Sequence, residues 1–151
     1  MCYKLYRIYF EISFLLFITM NTSGQTASKL HAADTVKYTI DNCVNTFSTD
    51  KTIKTSAGYQ YWFVDKNFLD GRTIKLSVVK PHDATHAPHS HPEDEFFFIL
   101  EGKAEFYLDG HTRFVGPMTS LYCPSYIEHG IRNSGDTELK YLVIKKYIMN
   151  K

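Results

Sequence analysis

From residue 59 onward the chain is cut into short apolar or alternating pieces, each closed by turn residues, and this rhythm restricts the fold more than anything else in the sequence. The pieces run over 59–64, 74–79, 96–100, 104–108, 111–115, 118–122, 129–133 and 139–147. Between them stand Asp70-Gly71, Gly102, Asp109-Gly110, Gly116-Pro117, Pro124 and Asn133-Ser134-Gly135-Asp136, residues that favour turns for backbone reasons. Strands this short at such regular spacing predict an all-β sandwich or barrel. Asp109-Gly110 predicts a two-residue hairpin, because a type I′ turn needs positive φ at both central positions. The 11 Tyr, 11 Phe and many Val, Ile and Thr agree with a sheet-rich protein. At 151 residues the chain can form one domain with a genuine core and is too short for two ordinary ones.

The N-terminal part differs in character. Lys4 and Arg7 precede the apolar run 12–18, and Thr22-Ser23-Gly24 follows it, the order of a cleavable secretory signal, with Glu11 at the edge of the apolar stretch. Residues 1–24 are therefore expected to be a signal peptide, 25–57 an N-terminal arm rich in polar residues that holds a linker and an edge strand wrapping the domain, and 58–148 a β-barrel. The expected location is secreted or periplasmic. The apolar run is too short to span a bilayer. A formal charge of +1 without a long basic run speaks against a nucleic-acid or membrane-surface footprint. Removal of the signal would take Cys2 with it and leave Cys43 and Cys123. A disulfide between them and two separately buried thiols are both compatible with the sequence.

The segment His89-Ser90-His91-Pro92-Glu93-Asp94-Glu95 leads into three consecutive phenylalanines, Ile99, Leu100, Glu101 and Gly102. On an extended strand His89, His91 and Glu95 share parity, so two nitrogens and an oxygen converge as metal ligands do. Glu93 has the same parity and competes with Glu95. It follows Pro92 directly, where the chain is leaving the loop, and Glu95 is preferred. His129, whose parity matches Ile131 and Asn133, is the natural fourth ligand. Phe96, Phe97 and Phe98 put apolar groups on both faces of one strand. Glu95, Phe97 and Ile99 would line the barrel, and the opposite face needs a second sheet, the arm or another subunit as in a homodimer.

The pattern HxH(x3)E(x6)G from His89 to Gly102, with Pro124 through His129 to Asn133, resembles the two motifs of the cupins, small β-barrels that hold one metal through three His and one Glu. The resemblance covers roughly residues 58–148. It implies an all-β double-stranded β-helix of the jelly-roll type and metal ligation by His89, His91, Glu95 and His129. Asp83 and Tyr126 replace glycines usual in the family, and Gly116 lies two residues farther from Pro124 than usual. These departures bear on loop shape and substrate more than on coordination.

Three neutral imidazoles and one carboxylate around a divalent transition metal leave a net charge near +1, suited to a small oxygenated or anionic molecule such as a sugar or hydroxy acid. Iron would suit a dioxygenase; manganese, nickel or zinc would suit an isomerase or lyase. Tyr61, Tyr107, Tyr122 and Tyr126 are candidate pocket phenols, and Lys75 and Arg113 candidate carboxylate binders, against ordinary packing or solvation for each. Arg113 is expected opposite Phe106 across the hairpin, and Phe114 opposite Glu105. Three readings follow: a metal-dependent enzyme, a non-catalytic metal-stabilised binding module, and a metal-free structural barrel, which the intact ligand set disfavours.

Overall fold

The computed structural model describes residues 38–149. The expected signal, 1–24, and the first part of the arm lie outside the described residues. The remaining arm holds one helical turn, α1 (Ile40–Cys43), whose Thr39 cap accepts from the Asn42 N–H while the Asn42 side chain accepts from the Thr39 N–H. A 3-10 turn follows at Thr49–Lys51. Among the described residues no helix is long and apolar enough to cross a membrane.

The rest is strand: β1 (Ile53–Thr55), β2 (Gly58–Val64), β3 (Arg72–Val79), β4 (Glu95–Glu101), β5 (Ala104–Leu108), β6 (His111–Val115), β7 (Ser120–Cys123), β8 (His129–Asn133) and β9 (Leu139–Lys146). The eight pieces read from the sequence correspond to β2 through β9. β1 lies within the arm and extends the sheet at its edge, with Ile53 opposite Gln60.

The strands form two sheets, β1-β2-β3-β9-β4-β7 and β6-β5-β8, every pair antiparallel. The expected all-β jelly-roll is what the chain adopts. Asp109 and Gly110, at φ 47° and 78°, close the hairpin that pairs Leu108 with His111. Gly102 turns the chain at φ 87°, where a Cβ would lie 2.6 Å from the Glu138 carbonyl oxygen.

Alternation along the strands decides what is inside. Phe97, Ile99, Leu121, Cys123, Leu139, Tyr141, Val143 and Val79 of the larger sheet meet Ala104, Phe106 and Ile131 of the smaller in one buried core. Tyr61, Leu76 and Val78 form a second cluster. The arm reaches it: the Phe47 and Tyr61 rings are 5.0 Å apart, and the Tyr61 hydroxyl donates to the Thr46 carbonyl at 2.8 Å. Cys43 is exposed on α1 and Cys123 buried on β7, and both are free thiols, so neither alternative is met in full: the two do not pair, and only one of them is buried.

Candidate metal centre

The loop between β3 and β4 carries the paired histidines, and β8 holds it in place. Buried Asn133 donates through Nδ2 to the carbonyls of Val79, Lys80 and Thr137 at 2.9, 3.0 and 2.7 Å and accepts from the Gly135 N–H at 2.9 Å. Its own N–H donates to the Asp83 carbonyl at 2.9 Å. Farther along, His89 and His129 exchange backbone hydrogen bonds at 3.0 and 2.9 Å as an isolated antiparallel bridge. Gly130 permits this approach, because a Cβ there would stand 3.2 Å from Pro88. The Tyr126 N–H donates to the His91 carbonyl at 2.8 Å, with Tyr126 itself at φ 62° where the family usually has glycine.

This scaffold brings the four expected ligands together. Nitrogen atoms of His89, His91 and His129 lie within 4.8 Å of one another. Glu95 Oε1 is 3.1 Å from His129 Nε2 and 3.6 Å from His91 Nε2. His91 Nδ1 is 2.7 Å from the Glu93 carbonyl and His129 Nδ1 is 2.8 Å from the Ile127 carbonyl. Carbonyl oxygens only accept, so both Nδ1 atoms carry the proton and both Nε2 lone pairs turn toward the carboxylate. Lone pairs so placed repel the carboxylate unless a cation lies among them, and the Lys145 ammonium, 3.0 Å from His91 Nε2, reaches only one of the two. His89 Nδ1 adds to the demand, being buried with no hydrogen-bond partner. The donor set therefore fits a divalent ion, with the Glu93 and Ile127 carbonyls orienting two of the imidazoles.

Burial, reinforced by the neighbouring His86, His129 and His91, holds His89 below the usual imidazole value, which keeps its nitrogen lone pair available. Cys123 also lies within reach of Glu95 and His129. Burial, then the Glu95 charge, pushes its thiol up to about 12, so the free thiol packs as a neutral neighbour of the cluster. Glu93 is turned to the outer side of His91: its carboxylate is 3.7 Å from His91 Nδ1 and accepts from the Ile148 N–H at 3.4 Å.

Sequence reasoning missed Lys145. Its side chain is 9% exposed, and Nζ lies 3.0 Å from His91 Nε2, 3.9 Å from Glu95 and 3.7 Å from Glu93. The signal was available, since Lys145 shares parity with Leu139, Tyr141 and Val143 on β9 and pairs with Glu95 in register. A polar cavity of about 280 Å3 opens beside the cluster, lined by Thr55, Gln60, Lys75, Ser77 and Lys145 among others. Lys75, one of the two cations read as carboxylate binders, is in it.

The other five residues considered for the pocket wall, Tyr61, Tyr107, Arg113, Tyr122 and Tyr126, are elsewhere. Tyr61 is buried in the second cluster under the arm, because its register partner is Leu76 rather than an inward residue of β3. Arg113 does pair with Phe106, yet β6 is the edge of the smaller sheet and Arg113 is exposed there. Tyr122 lies on the outer face, its ring 4.8 Å from that of Phe96. Tyr126 is exposed in its loop. Tyr107 points away as well, donating to Glu128 at 2.6 Å. His86 stacks edge-on against His89 with ring centres 4.3 Å apart and remains a loop residue beside the cluster.

A family model described as a cupin domain matches residues 75–145, the span from β3 to β9 that contains all four candidate ligands. This region is a cupin domain. Over 56 residues the chain is 44% identical to dimethylsulfoniopropionate lyase DddQ of Ruegeria pomeroyi, a match covering 36% of this chain and 28% of that protein. The match thus spans little more than a quarter of the relative's length. Among solved structures, the cupin domain is similar to a predicted oxalate decarboxylase of Thermotoga maritima, with TM-score 0.63 and 19% identity over 70% of this chain and 99% of that one. It is also similar to oxalate decarboxylase of Bacillus subtilis, with TM-score 0.54 and 27% identity over 63% of this chain and 27% of that one. At 19% identity the first likeness speaks for the fold alone.

Proposed function

We propose that this protein is an exported, metal-dependent cupin enzyme of the lyase type that acts on a small oxygenated molecule. One observation carries the reading: the Nε2 lone pairs of His91 and His129 converge on the Glu95 carboxylate at the edge of a polar cavity. His89, His91, Glu95 and His129 would hold the ion, and a divalent metal bound there supplies Lewis-acid polarisation of a substrate oxygen. The chain's own groups do the remaining work. The Glu93 and Ile127 carbonyls hold the tautomers of His91 and His129. Phe97 and Val143 close part of the cavity wall with apolar surface, while Gln60, Ser77 and Thr85 present hydrogen-bonding groups to a ligand. The stretch shared with a lyase and the likeness to a decarboxylase support cleavage chemistry over dioxygenation or isomerisation. The basic and apolar N-terminus supports export.

Elemental analysis of untagged protein, followed by incubation of the metal-loaded protein with small hydroxy acids, tests the proposal. About one equivalent of a first-row metal and a released product are expected, both lost in His129→Ala. Absence of metal after supplementation, or turnover that survives His129→Ala, would overturn it. Saturable binding without product would mark a binding module instead.

A further inference from the structure

The cavity holds two lysines in different electrostatic settings. Lys145 is neutralised in place, with Glu93 and Glu95 within 3.7 and 3.9 Å of its ammonium. Lys75 lines the same cavity from β3, and among the described residues no carboxylate pairs with it. Its recorded contact is with the face of Trp62, 5.3 Å from ammonium to ring centre. An ammonium drawn out of water without a counter-charge is costly, and burial indeed lowers the Lys75 pKa from its ordinary value, partly opposed by Glu95. A second unmet demand lies in the wall. Among the described residues two buried side-chain polar atoms lack a hydrogen-bond partner, His89 Nδ1 and Thr55 Oγ1. Both residues line this cavity. The histidine atom belongs to the metal cluster; the threonine hydroxyl, on β1, belongs to the wall that β1, β2 and β3 build.

We propose that this wall is a carboxylate subsite, and that Lys75 is the cation that anchors a small monocarboxylate whose second oxygen faces the histidine cluster. The inference rests on the proposed function only for that second oxygen. One uncompensated ammonium facing a cavity that already holds the Glu95 carboxylate suits a monoanion better than a phosphate dianion, which Glu95 would repel. A volume near 280 Å3 lies at the small end of ligand sites, fitting a compact acid and excluding an oligosaccharide. Lys75 acts as a specificity residue here, selecting for charge at the end of the ligand remote from the metal donors.

Trp62, the single tryptophan of the chain, stands against Lys75 and serves as the reporter. Its fluorescence is titrated with glycolate and with glycolamide, the uncharged counterpart of the same size, in zinc-supplemented and in chelator-treated protein. Glycolate should bind the wild type at least about tenfold more tightly than glycolamide, as expected for one charge-assisted contact. Lys75→Met should abolish that preference and Lys75→Arg should retain most of it, with zinc affinity unchanged in both, because Lys75, unlike Lys145, makes no hydrogen bond or ion pair with the donor cluster among the described residues. Equal binding of acid and amide by the wild type, no saturable response to glycolate, or a preference that survives in Lys75→Met overturns the proposal. The wild-type comparison decides the matter even if Lys75→Met does not fold. Failure of the wild type to bind zinc would instead count against the metal centre, and the acid preference would still be readable in the chelator-treated protein.

Discussion

On β4, Glu95, Phe97 and Ile99 are buried while Phe96, between two of them, keeps 45% of its surface exposed. The inner face of the larger sheet is pressed against the smaller one, so each inward side chain either joins the apolar core or needs dedicated polar partners, as Glu95 has in His91, His129 and Lys145. The outer face is covered where the arm crosses it, with Phe47 against Tyr61. At Phe96, Tyr122 and Ile144 it is open. One alternating pattern thus serves two environments, and what lies opposite each face decides which residues carry stability and which stay free to meet another surface.

Mutations sharpen this contrast. Phe97 packs edge-on against Phe106 and Tyr141 at ring distances of 6.3 and 5.5 Å, and Phe97→Ala should cost about 3–5 kcal/mol in a urea unfolding experiment. A loss under about 1 kcal/mol would mean that the inner face is not the main core. Next comes Asn133→Ala, which strips partners from three carbonyls and one N–H and should cost about 2–4 kcal/mol. It should also weaken metal binding, because the loop that carries His89 is released; stability lost with metal affinity intact would show that the loop holds itself.

Lys145→Met removes a cation 3.0 Å from the candidate donor nitrogen of His91 and should tighten metal binding about tenfold in competition with a chromophoric chelator. Weaker binding would mean that Lys145 orders the donors more than it repels the ion. The smallest effect is expected outside. Phe96→Ala should change stability by less than about 1 kcal/mol and leave metal affinity untouched. Sedimentation of both proteins adds a reading: a wild-type dimer that Phe96→Ala converts to monomer would identify a second copy as the cover of the open part of this face.

Much of the fold was legible because its signals are local. Turn chemistry at Asp109-Gly110 and Gly102 reports positive φ directly, and alternation along β4 and β8 separates Glu95, Phe97, Ile131 and Asn133 from their outward neighbours. The convergence of His89, His91, Glu95 and His129 was foreseen for the same reason, with parity and motif spacing acting together. The pocket wall was not. Tyr61 and Tyr122 look like wall residues in isolation, yet each lies on the outer face of its strand, one under the arm and one against Phe96. Arg113 shares a face with buried Phe106 and still reaches solvent, because among the described residues no strand pairs with β6 on its far side. The edge strand expected in the arm is β1, but its place could not be read because three residues are too few to display a period.

The sequence by itself determined an all-β domain, its strand boundaries to within a few residues, and the set of side chains that gather as a donor cluster, since all of these depend on backbone conformation and on period-two alternation over short distances. Only the tertiary structure decided which cations share the cluster's cavity. Lys145 enters because β9 lies between β3 and β4 in the sheet and sets it opposite Glu95. Lys75 enters because β3 pairs with β9 on the other side. Strand order is a property of how distant segments pack, and it is strand order that gives one lysine its carboxylates and leaves the other without them.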